Sequence, residues 1–207
     1  MKQIQILSGR GGASGVGIHG FFTGGFILDA GHKRESIDCF APSSGRNPGC
    51  TPALLANVEI PTRWRFALLL PKGYRYSGHR EKRFFQEHTP VPKSEVKETL
   101  ALLHHGVFPA VLEDSIDALR PALREMHRCG FKKRELYGQA AAVRRLFSKL
   151  CEIPECAVGM SSLGPLVYAV MREPPQEFLS HLAEIADKED AVILDICAGR
   201  NRGYEVI

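Results

Sequence analysis

Residues 8–32 read Ser8-Gly9-Arg10-Gly11-Gly12-Ala13-Ser14-Gly15-Val16-Gly17-Ile18-His19-Gly20-Phe21-Phe22-Thr23-Gly24-Gly25-Phe26-Ile27-Leu28-Asp29-Ala30-Gly31-His32. Five glycines, at positions 9, 11, 12, 15 and 17, fall within nine residues, more than a turn requires. Glycine permits positive φ and lets backbone N–H groups approach a ligand without interference from a Cβ. A helix starting near Ser14 and running to about Gly24 would add unpaired N–H groups and the positive end of its dipole. Together these features suit a pyrophosphate or a nucleotide tail. Gly11, Gly12, Gly15 and Gly17 supply the backbone donors, and Arg10 can add a charge-assisted contact. Ser14 is placed to bond a phosphate oxygen or an associated magnesium ion. A purely structural glycine-rich turn is the competing reading. The stretch is not a Walker A loop, because no Gly-Lys-Ser/Thr follows. Gly12-x-x-Gly15-x-Gly17 lacks the long leading strand and the spaced acidic residue of a dinucleotide fold.

Outward from the loop, Lys2–Leu7 alternates polar and apolar residues, and Phe26-Ile27-Leu28 predicts a short strand closed by Asp29-Ala30-Gly31. Residues 41–52 hold Pro42, Gly45, Pro48, Gly49 and Pro52 and read as loop. The run Phe66–Leu70, stopped by Pro71, predicts a buried strand, and a domain boundary is placed near Pro61, giving domains 1–61 and 62–207. Helical spacing follows in three blocks, with Val96, Leu100 and Leu103 on one face, then Ile116, Leu119, Leu123 and Met126, ended by Gly130. The third runs from Arg134 to Leu150 through Leu136, Ala140, Val143 and Phe147. All three stripes are expected to face the core. Cys156–Met160 and Leu166–Val170 predict strands around a Ser-Ser-Leu-Gly-Pro turn. A helix opened by Pro174-Pro175 carries Phe178, Leu182 and Ile185 inward. Ala191–Ile196 predicts a further strand, with Gly203–Ile207 as an additional candidate. Strands near both ends around several helices predict an α+β fold with a mixed or antiparallel sheet.

Composition narrows the class. The 207 residues are 44% hydrophobic and 24% charged, ordinary for a globular protein, with a net charge of +4. No stretch reaches the roughly 20 apolar residues of a membrane span, and Met1–Leu7 is too short for a signal peptide. Cytoplasm is the expected location, with no membrane partner. The basic clusters His79–Arg83 and Arg128–Arg134 are interleaved with acids, which reads as solvated helix faces rather than a nucleic-acid surface. The six cysteines, 39, 50, 129, 151, 156 and 197, form no C-x-x-C pair, so a structural zinc site is not expected. Cys129 and Cys197 read as plain buried thiols.

Residues 8–32 resemble the central loop of β-ribofuranosylaminobenzene 5′-phosphate synthase, a divergent branch of the GHMP kinase superfamily. Three later segments are similar to the same family. Ile60–Phe66, running into Leu70-Pro71, resembles the start of its second domain. Gly159–Pro165, with Ser161, Ser162 and Gly164, resembles the third superfamily motif. Gly199–Gly203 resembles its C-terminal Asn-Arg-Gly element, with Arg200 and Arg202 as substrate-binding candidates or surface groups. The resemblance implies a two-domain GHMP-kinase-like fold whose second domain is ferredoxin-like.

It also implies a reaction: condensation of phosphoribosyl pyrophosphate with 4-aminobenzoate, releasing pyrophosphate and carbon dioxide, in methanopterin biosynthesis. The loop would hold pyrophosphate with Mg2+, Ser14 would serve the metal, and Asp29 and His32 would contact magnesium or substrate and handle protons. Strand-end capping is the competing role for Asp29 and His32. Family analogy suggests a homodimer. In the superfamily a substantial stretch precedes the glycine loop, whereas eight residues precede Gly9 here, so a partial first domain is expected. The alternatives are an ATP-dependent small-molecule kinase of the same fold and an inactive phosphate-binding fragment.

Overall fold

The computed structural model describes residues 7, 8, 10–12, 14–32, 51–73 and 78–205. Expectations for Lys2–Gln5 and Ile6, Gly9, Ala13, Cys39, Cys50 and the loop over 41–50 lie outside the described residues. Two compact units emerge: Met1–Ile60 with Ser77–Pro90 and Arg200–Ile207, and Pro61–Tyr76 with Val91–Gly199. One division falls between Ile60 and Pro61. The first unit is discontinuous in sequence, unlike the contiguous division 1–61 and 62–207, because the C-terminal tail hydrogen-bonds to its residues.

In the first unit, helix α1 (Val16–Thr23) runs into strand β1 (Phe26–Asp29), which pairs antiparallel with β2 (Leu54–Val58). The turn between α1 and β1 needs glycine twice. Gly24 and Gly25 have φ of 67° and 81°, and a Cβ on Gly24 would lie 2.3 Å from the Arg202 amide. Only glycine combines that φ with so close a backbone approach. Strand β2 escapes a sequence reading because Leu54-Leu55-Ala56-Asn57-Val58 shows no clean alternation. Helix α2 (Gly78–His88) carries His79, Arg80, Lys82 and Arg83 exposed or half-exposed while burying Phe84. That is the solvated face expected, with Arg83 paired to Glu87 at 2.8 Å one turn on.

The second unit is built on a four-stranded antiparallel sheet. Its strands are β3 (Trp64–Pro71), β4 (Cys156–Met160), β5 (Val167–Arg172) and β6 (Ala191–Ala198), in spatial order β4-β5-β3-β6. Helices separate β3 from β4 and β5 from β6, so the unit is a β-α-β-β-α-β arrangement with its first strand central: the ferredoxin-like order. Strand β3 buries Ala67 and Leu69 completely, as the run Phe66–Leu70 predicts. Its register pairs Ala67 with Ala169 of β5 and with Ile196 of β6.

Between β3 and β4 the chain is helical. Helix α3 (Lys93–Leu102) passes through a π-helical turn, Leu103–Val107, into α4 (Phe108–Leu112). Helix α5 (Ile116–Met126) is capped by Ser115, whose Oγ accepts from the Ala118 amide, and it buries Ile116, Leu119 and Leu123. Gly106 in the π turn lies so near α5 that an added Cβ would come within 2.7 Å of the Ala122 Cβ. The stripe expected to bury α3 does not. Val96 is 41% and Leu100 47% exposed, so periodicity there identified a helix but not its inner face.

The single helix expected over Arg134–Leu150 is two, α6 (Gly130–Tyr137) and α7 (Ala141–Cys151). Gly138 ends the first, and Gln139 turns inward so that its Nε2 donates to the carbonyls of Glu135 and Leu163. Helix α7 buries Val143, Phe147 and Leu150, and helix α8 (Gln176–Lys188) buries Leu182 against the same sheet face. Gly130 does not cap α5, which stops at Met126; with φ of 55° it opens α6. Residues Gly203–Glu205 form no strand. Cys129 is buried as expected, whereas Cys197 is half-buried. Among the described residues, no helix is long and apolar enough to cross a membrane.

Candidate active site

The glycine loop ends on a hydrogen-bond node made by Asp29. A register shift between Leu28 and Asp29 re-aims the last residue of β1. Its Oδ2 accepts from the Gly15 amide at 2.7 Å and from the Ser14 hydroxyl at 3.0 Å, while Oδ1 accepts from the Gly31 amide at 3.0 Å. Gly15 is the N-cap of α1 and has no side chain of its own to satisfy the helix start. Asp29 does so from the next strand, putting a negative group at the positive end of the helix. Asp29 therefore performs the capping role, and it stands beside Ser14 among the candidate ligands.

The neighbouring positions are tightly determined. Gly11 has φ of 89° and is buried with Gly12. A Cβ on Gly15 would approach the His19 ring at 2.9 Å and the Pro52 carbonyl at 3.0 Å. Buried His19 donates through Nε2 to that carbonyl at 2.8 Å, a contact between α1 and the residues before β2 that the loop sequence gives no means of pairing. Arg10 is exposed, with Nη1 3.6 Å from where a Gly17 Cβ would stand, so its guanidinium lies over the first turn of α1. His32 is half-buried, and its Nε2 has no hydrogen-bond partner among the described residues.

Asp29 and Ser14 offer adjacent hard oxygens, and among the described residues no group of three His, Cys, Asp or Glu could hold a metal. An ion here would draw its remaining ligands from substrate phosphates and water, the habit of magnesium.

The Asn-Arg-Gly element belongs to the same unit but acts as a clasp. Asn201 accepts from the Ile60 amide and donates to the Ile60 carbonyl, both at 2.8 Å. Arg200 donates to the carbonyls of Arg202 and Gly203, at 3.0 and 2.7 Å, and its own carbonyl accepts from Gly25 N. Tyr204 stacks on Phe21 with ring centroids 4.6 Å apart. Arg202 pairs in the open with Glu205 at 3.2 Å. Of the two arginines read as substrate-binding candidates or surface groups, Arg200 bonds the tail's own backbone and Arg202 holds a surface ion pair.

In the second unit, the turn Ser161–Pro165 joins β4 to β5. Leu163 and Gly164 both take positive φ, 57° and 59°. The turn is held from below by Glu135, which is 2% exposed: Oε1 accepts from the Leu163 amide at 3.0 Å and from Ser162 Oγ at 3.4 Å. Lys132 neutralises the carboxylate at 2.8 Å and also donates to the Met160 carbonyl. Buried His127 accepts from the Met160 amide at 3.0 Å through Nε2 and donates through Nδ1 to the Leu123 carbonyl. Ser162 is exposed and Ser161 half-buried. The Arg128–Arg134 cluster is therefore only partly a solvated face, since Lys132 reaches inward and Arg134 pairs with Glu95 at 3.0 Å. Glu135 and His127 escape a sequence reading because nothing local marks a charged helix residue as buried.

Comparison with known proteins gives the geometry a context. Over 207 residues, all of this chain, it is 34% identical to β-ribofuranosylphenol 5′-phosphate synthase of Methanothermobacter thermautotrophicus, covering 62% of that protein. The chain is similar to this synthase along its whole length. The Archaeoglobus fulgidus synthase is 32% identical over 99% of this chain and 64% of its own length. For the Methanocaldococcus jannaschii synthase the figures are 36%, 80% and 50%. The chain thus spans half to about two thirds of the length of these curated relatives. No family model matches. In structure it is similar to homoserine kinase from Cytophaga hutchinsonii, with a TM-score of 0.57 over 89% of this chain and 51% of that one, at 11% identity. The fold is that of GHMP kinases, as the sequence resemblance implies.

Proposed function

We propose that the chain carries the glycine-loop and ferredoxin-like portions of a decarboxylating pentosyltransferase. It would join phosphoribosyl pyrophosphate to a benzoate bearing an electron-releasing para group, in methanopterin biosynthesis. The observation that carries this reading is similarity to the ribofuranosylphenol phosphate synthases along the whole chain. The relatives' name, a phenol, favours 4-hydroxybenzoate as acceptor; 4-aminobenzoate would give the corresponding aniline by the same chemistry. In either case the ring carbon bearing the carboxylate forms a bond to the ribose carbon as pyrophosphate leaves. Loss of carbon dioxide then returns the electron pair to the ring.

The residues divide the work accordingly. Arg10 and the backbone of Gly11, Gly12 and Gly17 would hold pyrophosphate, where donors stabilise the charge that develops on the leaving group. Asp29 and Ser14 would hold magnesium, which when bound would supply positive charge toward the leaving pyrophosphate. His32 would take a proton from the acceptor's para substituent as the ring attacks and return it when loss of carbon dioxide restores the aromatic phenol or aniline. Ser161, Ser162 and Gly164 would be the substrate contacts of the second unit's own turn. The working form would be a cytoplasmic homodimer.

The deciding experiment is a carbon dioxide release assay on the purified chain with magnesium, phosphoribosyl pyrophosphate and carboxyl-labelled 4-hydroxybenzoate or 4-aminobenzoate. Labelled carbon dioxide and pyrophosphate should appear in equal amounts. A chain that melts cooperatively, gains stability with phosphoribosyl pyrophosphate and releases nothing would instead be a phosphate-binding unit. Stabilisation by ATP alone would move it to the kinase branch; a ligand at 100 times its Kd adds about 2.7 kcal/mol.

A further inference from the structure

The helical layer of the second unit contains a cleft of about 260 Å3 whose charged lining is all of one sign. Arg124 and Arg128 come from α5 and the residues after it, and Arg144 from α7, with Tyr137, Phe147 and Cys151 completing the wall. No carboxylate lines it. Two other clefts of this unit differ: one sets Arg172 beside Glu155 and Glu177, the other sets Lys149 and Lys188 against Glu152, Glu155 and Glu189. Those clefts neutralise themselves, and this one does not.

Of the groups around the cleft, Glu125 offsets the charge of Arg128, and the charges of Arg124 and Arg144 remain standing. Burial pushes the Cys151 thiol up to about 11 although Arg124 and Arg128 pull it down, so the sulfur stays neutral. His127 is held down near 4 by burial and spends both ring nitrogens on the backbone, so it adds surface and no charge. Glu125 pairs with Arg128 at 2.7 Å from outside the lining. Arg144 is oriented by donating to the Tyr137 carbonyl at 2.9 Å. Guanidiniums that share one lining are favoured by an anion among them, and their planar forks match phosphate oxygens in pairs. Buried Phe147 and exposed Tyr137 add flat apolar surface suited to a ring.

We propose that this cleft, formed within the helical layer of the second unit, binds a phosphate monoester with a ring-sized body. The test is calorimetric titration of the whole chain with ribose 5-phosphate, inorganic phosphate and ribose. Ribose 5-phosphate should bind at least tenfold more tightly than inorganic phosphate, and ribose should not bind. Replacing both arginines, Arg124→Ser with Arg144→Ser, should weaken ribose 5-phosphate at least tenfold, whereas Lys188→Ser, an exposed cation outside this lining, should leave it within about twofold. Three results would overturn the proposal: no heat from ribose 5-phosphate at millimolar concentration, equal binding of inorganic phosphate, or binding that survives the double variant. The arginines lie on exposed helix faces, and circular dichroism verifies that the variants keep the fold before titration.

Discussion

The Asp29 carboxylate accepts a 2.7 Å hydrogen bond from the Gly15 amide, fourteen residues earlier, and so caps α1 from the following strand. One of the backbone donors expected to meet a phosphate is already engaged by an anion of the chain itself. A substrate phosphate entering this corner meets a carboxylate as well as a helix dipole, and a shared cation would reconcile the two.

Removing the charge at Asp29 should be felt in stability before activity is considered. Asp29→Ala leaves the Gly15 and Gly31 amides without their acceptor and is expected to cost about 1–3 kcal/mol in urea unfolding. Asp29→Asn keeps one acceptor oxygen and should cost less. Equal losses for the two variants would mean that a single amide oxygen recovers none of the capping.

The tail clasp can be opened at Asn201. Its side chain satisfies both backbone groups of Ile60, and Asn201→Ala is expected to cost about 1–2 kcal/mol and to speed proteolysis within residues 199–205. An unchanged cleavage pattern would show that the stacking of Tyr204 on Phe21 holds the tail by itself.

Trp64 is the chain's one tryptophan, and its Nε1 donates to Asp114 at 2.6 Å. Burial raises the carboxyl of Asp114, but hydrogen bonds from Arg63 and Trp64 and the charge of Arg172 hold it below its ordinary value. Asp114→Ala should shift the indole emission and lower stability by about 1–3 kcal/mol. Emission identical to that of the parent chain would argue that the indole bond is absent in solution.

Acid should act through His127. Its folded pKa of about 4 lies below the ordinary 6.5 because burial disfavours the charged ring and the charge of Lys132 adds to that, outweighing the hydrogen bond to the Leu123 carbonyl. The stabilisation from keeping it neutral is complete above pH 6.5 and is lost as pH falls through about 4. Over that window the parent chain should lose up to roughly 3 kcal/mol that His127→Gln does not lose. Parallel stability curves for the two proteins would remove His127 from the acid response.

The hydrophobic order along the chain was enough for the strands Phe66–Leu70 and Ala191–Ile196, for the helix through Leu119 and Leu123, and for the glycine loop. Each depends on chemistry that repeats locally. Recognition of the family likewise needed only the residues between Ser8 and His32 and the three later segments. Folding alone decided which face of Lys93–Leu102 is inside, since Val96 and Leu100 have helical spacing and remain exposed. It also broke the helix at Gly138, because the Gln139 amide finds the Leu163 carbonyl 24 positions away. The pairings Asp29–Gly15, Glu135–Leu163 and Asn201–Ile60 join residues separated by 14, 28 and 141 positions. Such hydrogen bonds leave no periodic trace in sequence. A polar residue becomes a cap, a brace or a clasp only when the packed chain brings an unpaired backbone group within about 3 Å of it.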